Sequence, residues 1–250
     1  MKSVFTVFRK ELKSYFSSPI AFVVLFVFLV ISGIFFFLYL QSFVEAQFDP
    51  RLQFIEEGIN LNDIVIRPFF GTISVVLLLL IPLITMRLIA DERKGYTAEL
   101  LFTSPVRMTS IIIGKYLASL LLFGLMIVLS APYVLVLIKY GNPDLGPILS
   151  GYLGLVLMGA SFLAVGIFAS ALTENQMIAA VISFGILLVF WIMGATSGAG
   201  DSIFGYLSII NHFESFAKGV IEVKDVTYYL SFTFLGLYLA YVTLDSERWK

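Results

Sequence analysis

Residues 145–200 read LGPILSGYLGLVLMGASFLAVGIFASALTENQMIAAVISFGILLVFWIMGATSGAG and carry a single charged side chain, that of Glu174. A helix needs about 20 apolar residues to cross about 30 Å of hydrocarbon, so this stretch is far too long for one crossing. We therefore predict two spans, at about residues 145–172 and 175–198. Thr173, Glu174 and Asn175 are expected to form a tight turn between them.

Four further stretches have the same apolar character, at about residues 19–40, 68–90, 115–138 and 226–245. Of the 250 residues, 59% are hydrophobic and only 13% are charged, whereas soluble domains carry about 25% charged residues. The mean hydropathy is +0.97. The sequence therefore predicts an all-α integral membrane protein, a single domain over residues 1–250 with six transmembrane helices. The run 20–40 is longer than the apolar core of a secretory signal, so we interpret it as an uncleaved first span.

The distribution of charge gives an orientation. Most of the 16 basic residues lie in segments 1–18, 87–115 and 246–250, whereas the segments on the other side hold more acids than bases. By the positive-inside rule, both termini are expected in the cytoplasm. Pro82 removes a backbone donor within the second span and should bend that helix near its cytoplasmic end.

Residues 1–18 have an amphipathic pattern. Apolar side chains recur at helical spacing at Phe5, Phe8, Leu12 and Tyr15. The basic residues Arg9, Lys10 and Lys13 face elsewhere, which predicts an N-terminal interfacial helix that contacts anionic lipid. The alternative is a positive flank that only orients the first span.

Two segments are assigned to the outer side. The acidic segment 41–67 is too polar for the membrane and is expected to be a solvated loop, with room for a short helix. The segment 201–225 predicts a short outer helix that lies on the bundle surface before the last span. Its apolar residues at helical spacing are Ile203, Tyr206, Leu207, Ile210, Phe213, Ala217 and Val220.

The longest cytoplasmic connection, residues 91–114, has the character of a docking element. Thr97 could cap a short helix, and Ser104-Pro105 would end it. Its apolar residues Leu100 and Leu101 could face a partner or the bundle. Such a helix, held below the membrane, could transmit force from a soluble partner. The alternative is an ordinary solvated loop.

Several kinds of chemistry are unsupported by the sequence. There is no cysteine, and the only Gly-Lys pair, Gly114-Lys115, lacks the pattern of a nucleotide-binding loop. His212 is the sole histidine and is expected at the surface or as a cap rather than in a metal site. The methionines are scattered, which gives no support to copper export. A net charge of -1 argues against a nucleic-acid partner. The chain is therefore expected not to be an enzyme.

The predicted spans also argue against an ion relay. No charge lies deep within any of them, which disfavours a proton-coupled transporter. The fourth span carries small residues near one face, which we interpret as a helix-packing surface rather than a substrate path. These residues are Gly159, Ala160, Gly166, Ala169 and Ser170.

Two segments resemble a known family. The first begins with 82-PLITMR-87 and continues with Glu92-Arg93, Gly95, Thr97, Glu99-Leu100-Leu101 and Ser104-Pro105. It resembles the second span and coupling helix of the permeases of ABC-2 type ABC exporters. The segment 211-NHFESFAKGVI-221, with Asp225 and Tyr229 beyond it, is similar to the gliding-motility and nitrous-oxide-reductase-maturation permeases. Tyr96 departs from the pattern, because relatives often have a small residue there.

The resemblance implies a membrane subunit with several partners. A separate cytoplasmic ATPase subunit would bind ATP and Mg, and this chain would hold no cofactor. A second copy or a related permease would complete a dimer in the inner membrane of a bacterium, and a periplasmic accessory protein would be a further partner. ATP hydrolysis would drive substrate export or mechanical work. The residues implied in contact with the ATPase are Glu92, Arg93, Gly95, Thr97, Glu99, Leu100 and Pro105, with Glu174 and Asn175 in a smaller second contact.

Two other functions stay open. The first is a secondary transporter or channel that works without ATP. The second is a membrane-embedded enzyme, which would need converging polar groups within the membrane.

Overall fold

A computed structural model describes residues 2–48, 60–95, 107–196 and 203–247. Every regular element in these ranges is helical, and six helices are long and apolar enough to cross a membrane. The predicted all-α fold with six spans is thus confirmed.

The first two helices are separated at Ser18. Helix α1 covers Lys2–Ser17 and α2 covers Pro19–Phe48. Proline is well suited to the first turn of a helix, because the amide that it lacks would have no intrahelical partner there. Helix α2 continues about two turns past the predicted span end at residue 40.

The second crossing is built from three helical pieces. A π-helix at Asn62–Ile66 leads into α3, Arg67–Thr85, and α4 follows at Arg87–Lys94. The helix is interrupted at Met86, four residues after Pro82, and the Met86 amide donates to the Pro82 carbonyl at 2.9 Å. A disturbance near the end of this span was expected from Pro82.

The next two crossings are long and are closed by polar turns. Helix α5 covers Met108–Gly141 and ends where Asn142 adopts a left-handed conformation, with φ of 49°. Helix α6 covers Leu145–Leu172 and α7 covers Gln176–Thr196. In the turn between them, the Asn175 amide donates to Thr173 Oγ1 at 3.1 Å. This is the tight turn that the sequence predicts.

Helix α6 lies at the centre of the bundle, where it packs against α3, α5 and α7. Small residues permit this close packing. A β-carbon built at Gly159 would overlap the ring of Phe123, and one built at Gly166 would overlap Thr85. The small residues of this span therefore serve helix packing.

The last part of the chain contains two short helices before the final crossing. Helix α8 covers Ile203–Leu207, α9 covers Ile209–Ala217 and α10 covers Val223–Glu247. Helix α9 packs against α6, α7 and α10, and it ends at a turn in which Gly219 has φ of 89°. A left-handed φ of this size favours glycine.

The predicted inward face of the outer helix is only partly correct. Phe213 is buried as expected, but Tyr206 is 62% exposed. Ile209 and Phe216 are fully buried instead. The helix is interrupted at Ser208, which caps α9 by accepting from the Asn211 amide. The segment therefore forms two short helices, and their buried residues do not follow a single helical spacing.

Candidate functional site

The sequence-predicted contact residues that the structure describes lie at one end of the bundle, which we call the α4 end. Glu92 and Arg93 occupy the last turn of α4, and Gly95 is its C-cap. Glu174 and Asn175 lie in the turn between α6 and α7. Thr97, Glu99, Leu100 and Pro105 lie outside the described residues.

A buried cation lies beside Glu92. The side chain of Lys115, on α5, is 2% exposed and its Nζ is 2.9 Å from Glu92 Oε2 and 2.7 Å from Glu11 Oε1 on α1. It also donates to the Leu88 carbonyl at 2.6 Å. All three donor positions of the ammonium group can therefore be used. We call Lys10, Glu11, Glu92 and Lys115 the Lys115 network.

Lys10 completes this network from the solvent side. Its Nζ lies 3.0 Å from Glu92 Oε1. Partial burial acts to lower the pKa of Lys10, but the hydrogen bond and negative charge of Glu92 outweigh it, so the pKa is raised. Lys10 therefore stays protonated at neutral pH. Two cations then face two carboxylates, and the network joins α1, α4 and α5 without net charge.

A second contact joins α1 to the helix break. Tyr15 is buried and its hydroxyl donates to the Ile84 carbonyl at 3.2 Å. The Arg87 guanidinium carbon lies 4.8 Å from the centre of the same ring, within the range of a cation–π interaction. Burial raises the pKa of Tyr15, so the phenol stays a neutral donor at physiological pH.

Ser170 of α6 holds the start of α4. Its hydroxyl oxygen accepts from the Ile89 amide at 3.0 Å and the Ala90 amide at 3.1 Å, and it donates to the Met86 carbonyl at 2.9 Å. The first four amides of a helix lack intrahelical acceptors. One buried hydroxyl therefore satisfies two of these donors and fixes α4 to α6.

The far end of α4 is joined to the turn between α6 and α7. Arg93 donates to the Ala171 carbonyl, and the Gln176 side-chain amide donates to Asp91. A cavity of about 310 Å³ lies next to these contacts. Its lining residues are Lys94, Glu174, Asn175, Gln176 and Met177. The structure thus brings the described parts of the two predicted contact segments together.

At the opposite end of the bundle, the expectation for His212 is only half correct. It does not lie at the surface, but one ring nitrogen lies beside a carbonyl in the last turn of α8, as in a helix cap. The residue is buried rather than at the surface, and its Nδ1 lies 2.6 Å from Oδ1 of the fully buried Asp225. Its Nε2 lies 3.0 Å from the Tyr206 carbonyl, and its ring stacks on Tyr228 at 4.0 Å. The carboxylate is thirteen positions further on and belongs to another helix, which is why the sequence did not reveal the pair.

The pair provides a structural contact between α9 and α10. The Tyr229 hydroxyl adds a second one by donating to the Ile209 carbonyl at 2.8 Å. Within the described ranges, no group of three or more His, Cys, Asp or Glu side chains could hold a metal ion.

The sequence analysis missed Lys10, Glu11, Lys115 and Ser170 as members of the site. Lys115 was assigned only to the positive flank of a span. An acid at position 11, within an otherwise basic segment, is the one signal that could have indicated a buried partner. The partner itself is 104 positions away and could not be identified by spacing.

Comparison with known protein families gives a match over nearly the whole chain. A sequence model of the family described as "ABC-2 family transporter protein" matches residues 5–244. No curated protein matches the sequence. The matched region includes α4, all but the first few residues of α1, and the whole of the Lys115 network.

Proposed function

Because this chain belongs to the ABC-2 family of transporter proteins, we propose that it is the permease subunit of an ATP-driven exporter whose ATP is hydrolysed by a separate cytoplasmic subunit. The chain is a multi-pass membrane protein with six apolar helices. ATP and Mg would be bound by the partner, and this chain would be non-catalytic.

The observation that carries the proposal is the position of Glu92. This carboxylate lies at the end of α4, where the predicted contact segment begins, and it contacts cations from both α1 and α5. The residues on either side of it, Asp91 and Arg93, are bonded to α7 and α6. A displacement of the contact segment would therefore reach four other helices directly.

The burial of Lys115 makes the connection between α1, α4 and α5 rigid. Separating Lys115 from its carboxylates would leave buried charge without compensation, which costs about 3–5 kcal/mol in comparable pairs. Ser170 further prevents α4 from tilting alone, because its hydroxyl is bonded both to Met86, where the helix is interrupted, and to the Ile89 amide of α4. Closure of the ATPase would then move α1, α4 and α5 together as a rigid body, which is a common form of conformational switching.

The turn at Glu174 and Asn175 supplies the smaller second contact. Both side chains are exposed and line the cavity of about 310 Å³ beside α4. An ATPase surface seated against Glu92, Arg93 and Gly95 would have this turn within reach. The contribution of Thr97, Glu99, Leu100 and Pro105 rests on the sequence alone.

The remaining features of the assembly follow from the resemblance and the charge pattern. We place the protein in the inner membrane of a bacterium, with both termini in the cytoplasm, because basic residues are concentrated at the α4 end. We assign it to a dimer with a second copy or a related permease, in the gliding-motility and nitrous-oxide-reductase-maturation subfamily. A periplasmic accessory protein and an output of either substrate export or mechanical work are consistent with that subfamily.

The test has two stages. The full chain is first purified from its native membrane, and an ATPase subunit should be identified among the bound proteins. Glu99→Arg should then remove the stimulation of ATP turnover by the permease, while membrane insertion stays intact. Glu45→Arg is the control, because Glu45 is exposed near the far end of α2. Absence of an ATPase would favour an ATP-independent transporter, and unchanged stimulation in Glu99→Arg would contradict the coupling role.

A further inference from the structure

An apolar groove lies between α1 and α5 at the α4 end. Its volume is about 720 Å³, within the range of about 300–1,000 Å³ that is typical of ligand sites. Its lining residues are Val4, Phe5, Phe8, Leu117, Leu120 and Leu121. The two α5 residues Leu117 and Leu121 are 39% and 43% exposed. The groove is thus open along the surface of a membrane-spanning helix.

Two cations lie on α1 beside this groove. Arg9 follows Phe5 by four positions and Lys13 follows Arg9 by four, so this row of side chains runs from the apolar face of α1 toward its basic face. Both cations are exposed, and neither has an ion pair with another residue that the structure describes. The neighbouring Lys10 differs, because Glu92 neutralises it.

This arrangement fits a molecule with an apolar chain and an anionic head. We propose that the groove binds one acyl chain of an anionic glycerophospholipid, whose phosphate lies over Arg9 and Lys13. Basic residues near a membrane surface each contribute about 1 kcal/mol to the attraction of anionic lipid. Two of them would therefore favour an anionic over a zwitterionic lipid on the order of tenfold or more.

Such a lipid would stabilise the position of α1. Next to Lys115, α1 already lies close against α5, since a β-carbon at Gly114 would lie 2.8 Å from Val7 on α1. A bound chain would fill the space between Phe5 and Leu121 and keep α1 against α5. The proposal does not depend on the ATPase partner, because it concerns only this chain and the lipid.

The experiment places a fluorescent reporter in the groove of the full-length chain. Phe5→Trp keeps an aromatic side chain at a position that is 64% exposed. The protein is reconstituted in phosphatidylcholine vesicles that contain increasing fractions of a brominated lipid, either phosphatidylglycerol or phosphatidylcholine. Quenching of the two native tryptophans is measured in the unmodified chain and subtracted.

The expected result is half-quenching by brominated phosphatidylglycerol at a mole fraction on the order of tenfold lower than for brominated phosphatidylcholine. Arg9→Gln with Lys13→Gln should abolish this preference. The matched control, Lys218→Gln with Lys224→Gln, removes two exposed cations near the opposite end of the bundle and should preserve it.

Three results would overturn the proposal. Equal quenching by both lipids would show ordinary contact with the surrounding bilayer. No quenching by either lipid would show that lipid chains do not enter the groove. Loss of the preference in the control variant would show a general effect of net charge rather than a site at Arg9 and Lys13.

Discussion

Replacing Lys115 with methionine should destabilise the protein by about 3 kcal/mol, because two carboxylates lose a buried cation. The side chains of Glu11 and Glu92 are 12% and 17% exposed. Breaking a buried pair costs about 3–5 kcal/mol. Glu92 keeps Lys10, but that side chain is 63% exposed and such a pair contributes at most about 1 kcal/mol. Both carboxylates can also turn toward water, which places the expected loss at the lower end of the range.

The assay is equilibrium unfolding in mixed micelles, followed by circular dichroism of the helices. Lys139→Met is the matched control on the same helix, because Lys139 is exposed at the far end of α5. Its effect should stay within about 0.5 kcal/mol, as for most surface substitutions. Methionine retains a long apolar side chain in both variants, so the comparison isolates the buried charge.

A double-mutant cycle separates the ion pair from simple packing. Glu11→Gln removes one of the stranded charges, so its addition to Lys115→Met should cost less than the sum of the two single changes. We expect a coupling energy of at least about 1 kcal/mol, since residues in one ion network rarely act additively. A loss below about 0.5 kcal/mol for Lys115→Met, or additive effects in the cycle, would refute a buried network at this position.

Two further predictions concern packing and the opposite end of the bundle. Gly166→Ala should lower the free energy of unfolding by about 1–3 kcal/mol, because the new methyl group overlaps Thr85. The control is Gly124→Ala, whose methyl group meets no atom within 4 Å and which should be neutral or slightly stabilising in the same unfolding assay. Equal effects of the two substitutions would contradict the packing role of Gly166. Asp225→Asn should accelerate hydrogen exchange of the α9 amides on the order of tenfold, because an amide oxygen is a weaker acceptor for the buried His212 ring than a carboxylate oxygen. The exposed Asp144→Asn should leave this exchange unchanged. Unchanged exchange in Asp225→Asn would show that the buried pair does not hold α9.

The six crossings could be predicted because the bilayer imposes a length on every apolar run. The stretch around Glu174 is the clearest example, since one charge and two flanking polar residues were enough to locate a turn. Helix ends were harder to place. Helix α2 extends to Phe48 and α5 begins at Met108, because a helix can continue past the hydrocarbon as long as its backbone hydrogen bonds are satisfied. Hydropathy does not predict the length of such an extension outside the membrane.

The site could be predicted only in part. Glu92 and Arg93 were proposed because they occur in a motif, but a motif does not state which other residues hold its side chains. Lys115 has the sequence character of an ordinary flanking cation, and only the packing of α1 against α5 makes it a buried one. His212 was misplaced for the same reason. Its partner Asp225 lies in the next helix, beyond the turn at Gly219, so helical spacing in the sequence does not connect the two residues.

The packing around α6 limits how this protein can change shape. Gly151, Gly154, Gly159 and Gly166 each receive a side chain from a neighbouring helix, and the first three receive phenylalanine rings. If α6 slid along its own axis, these rings would collide with the larger residues that separate the glycines. Sliding is therefore disfavoured, and α6 has to travel with the helices that insert into it. Helix α10 is held in the same way, since a β-carbon at Gly236 would lie 2.9 Å from the backbone of Ala164 on α6. The boundary left for movement is therefore that of α2, which packs mainly on α3 and α5 rather than on α6.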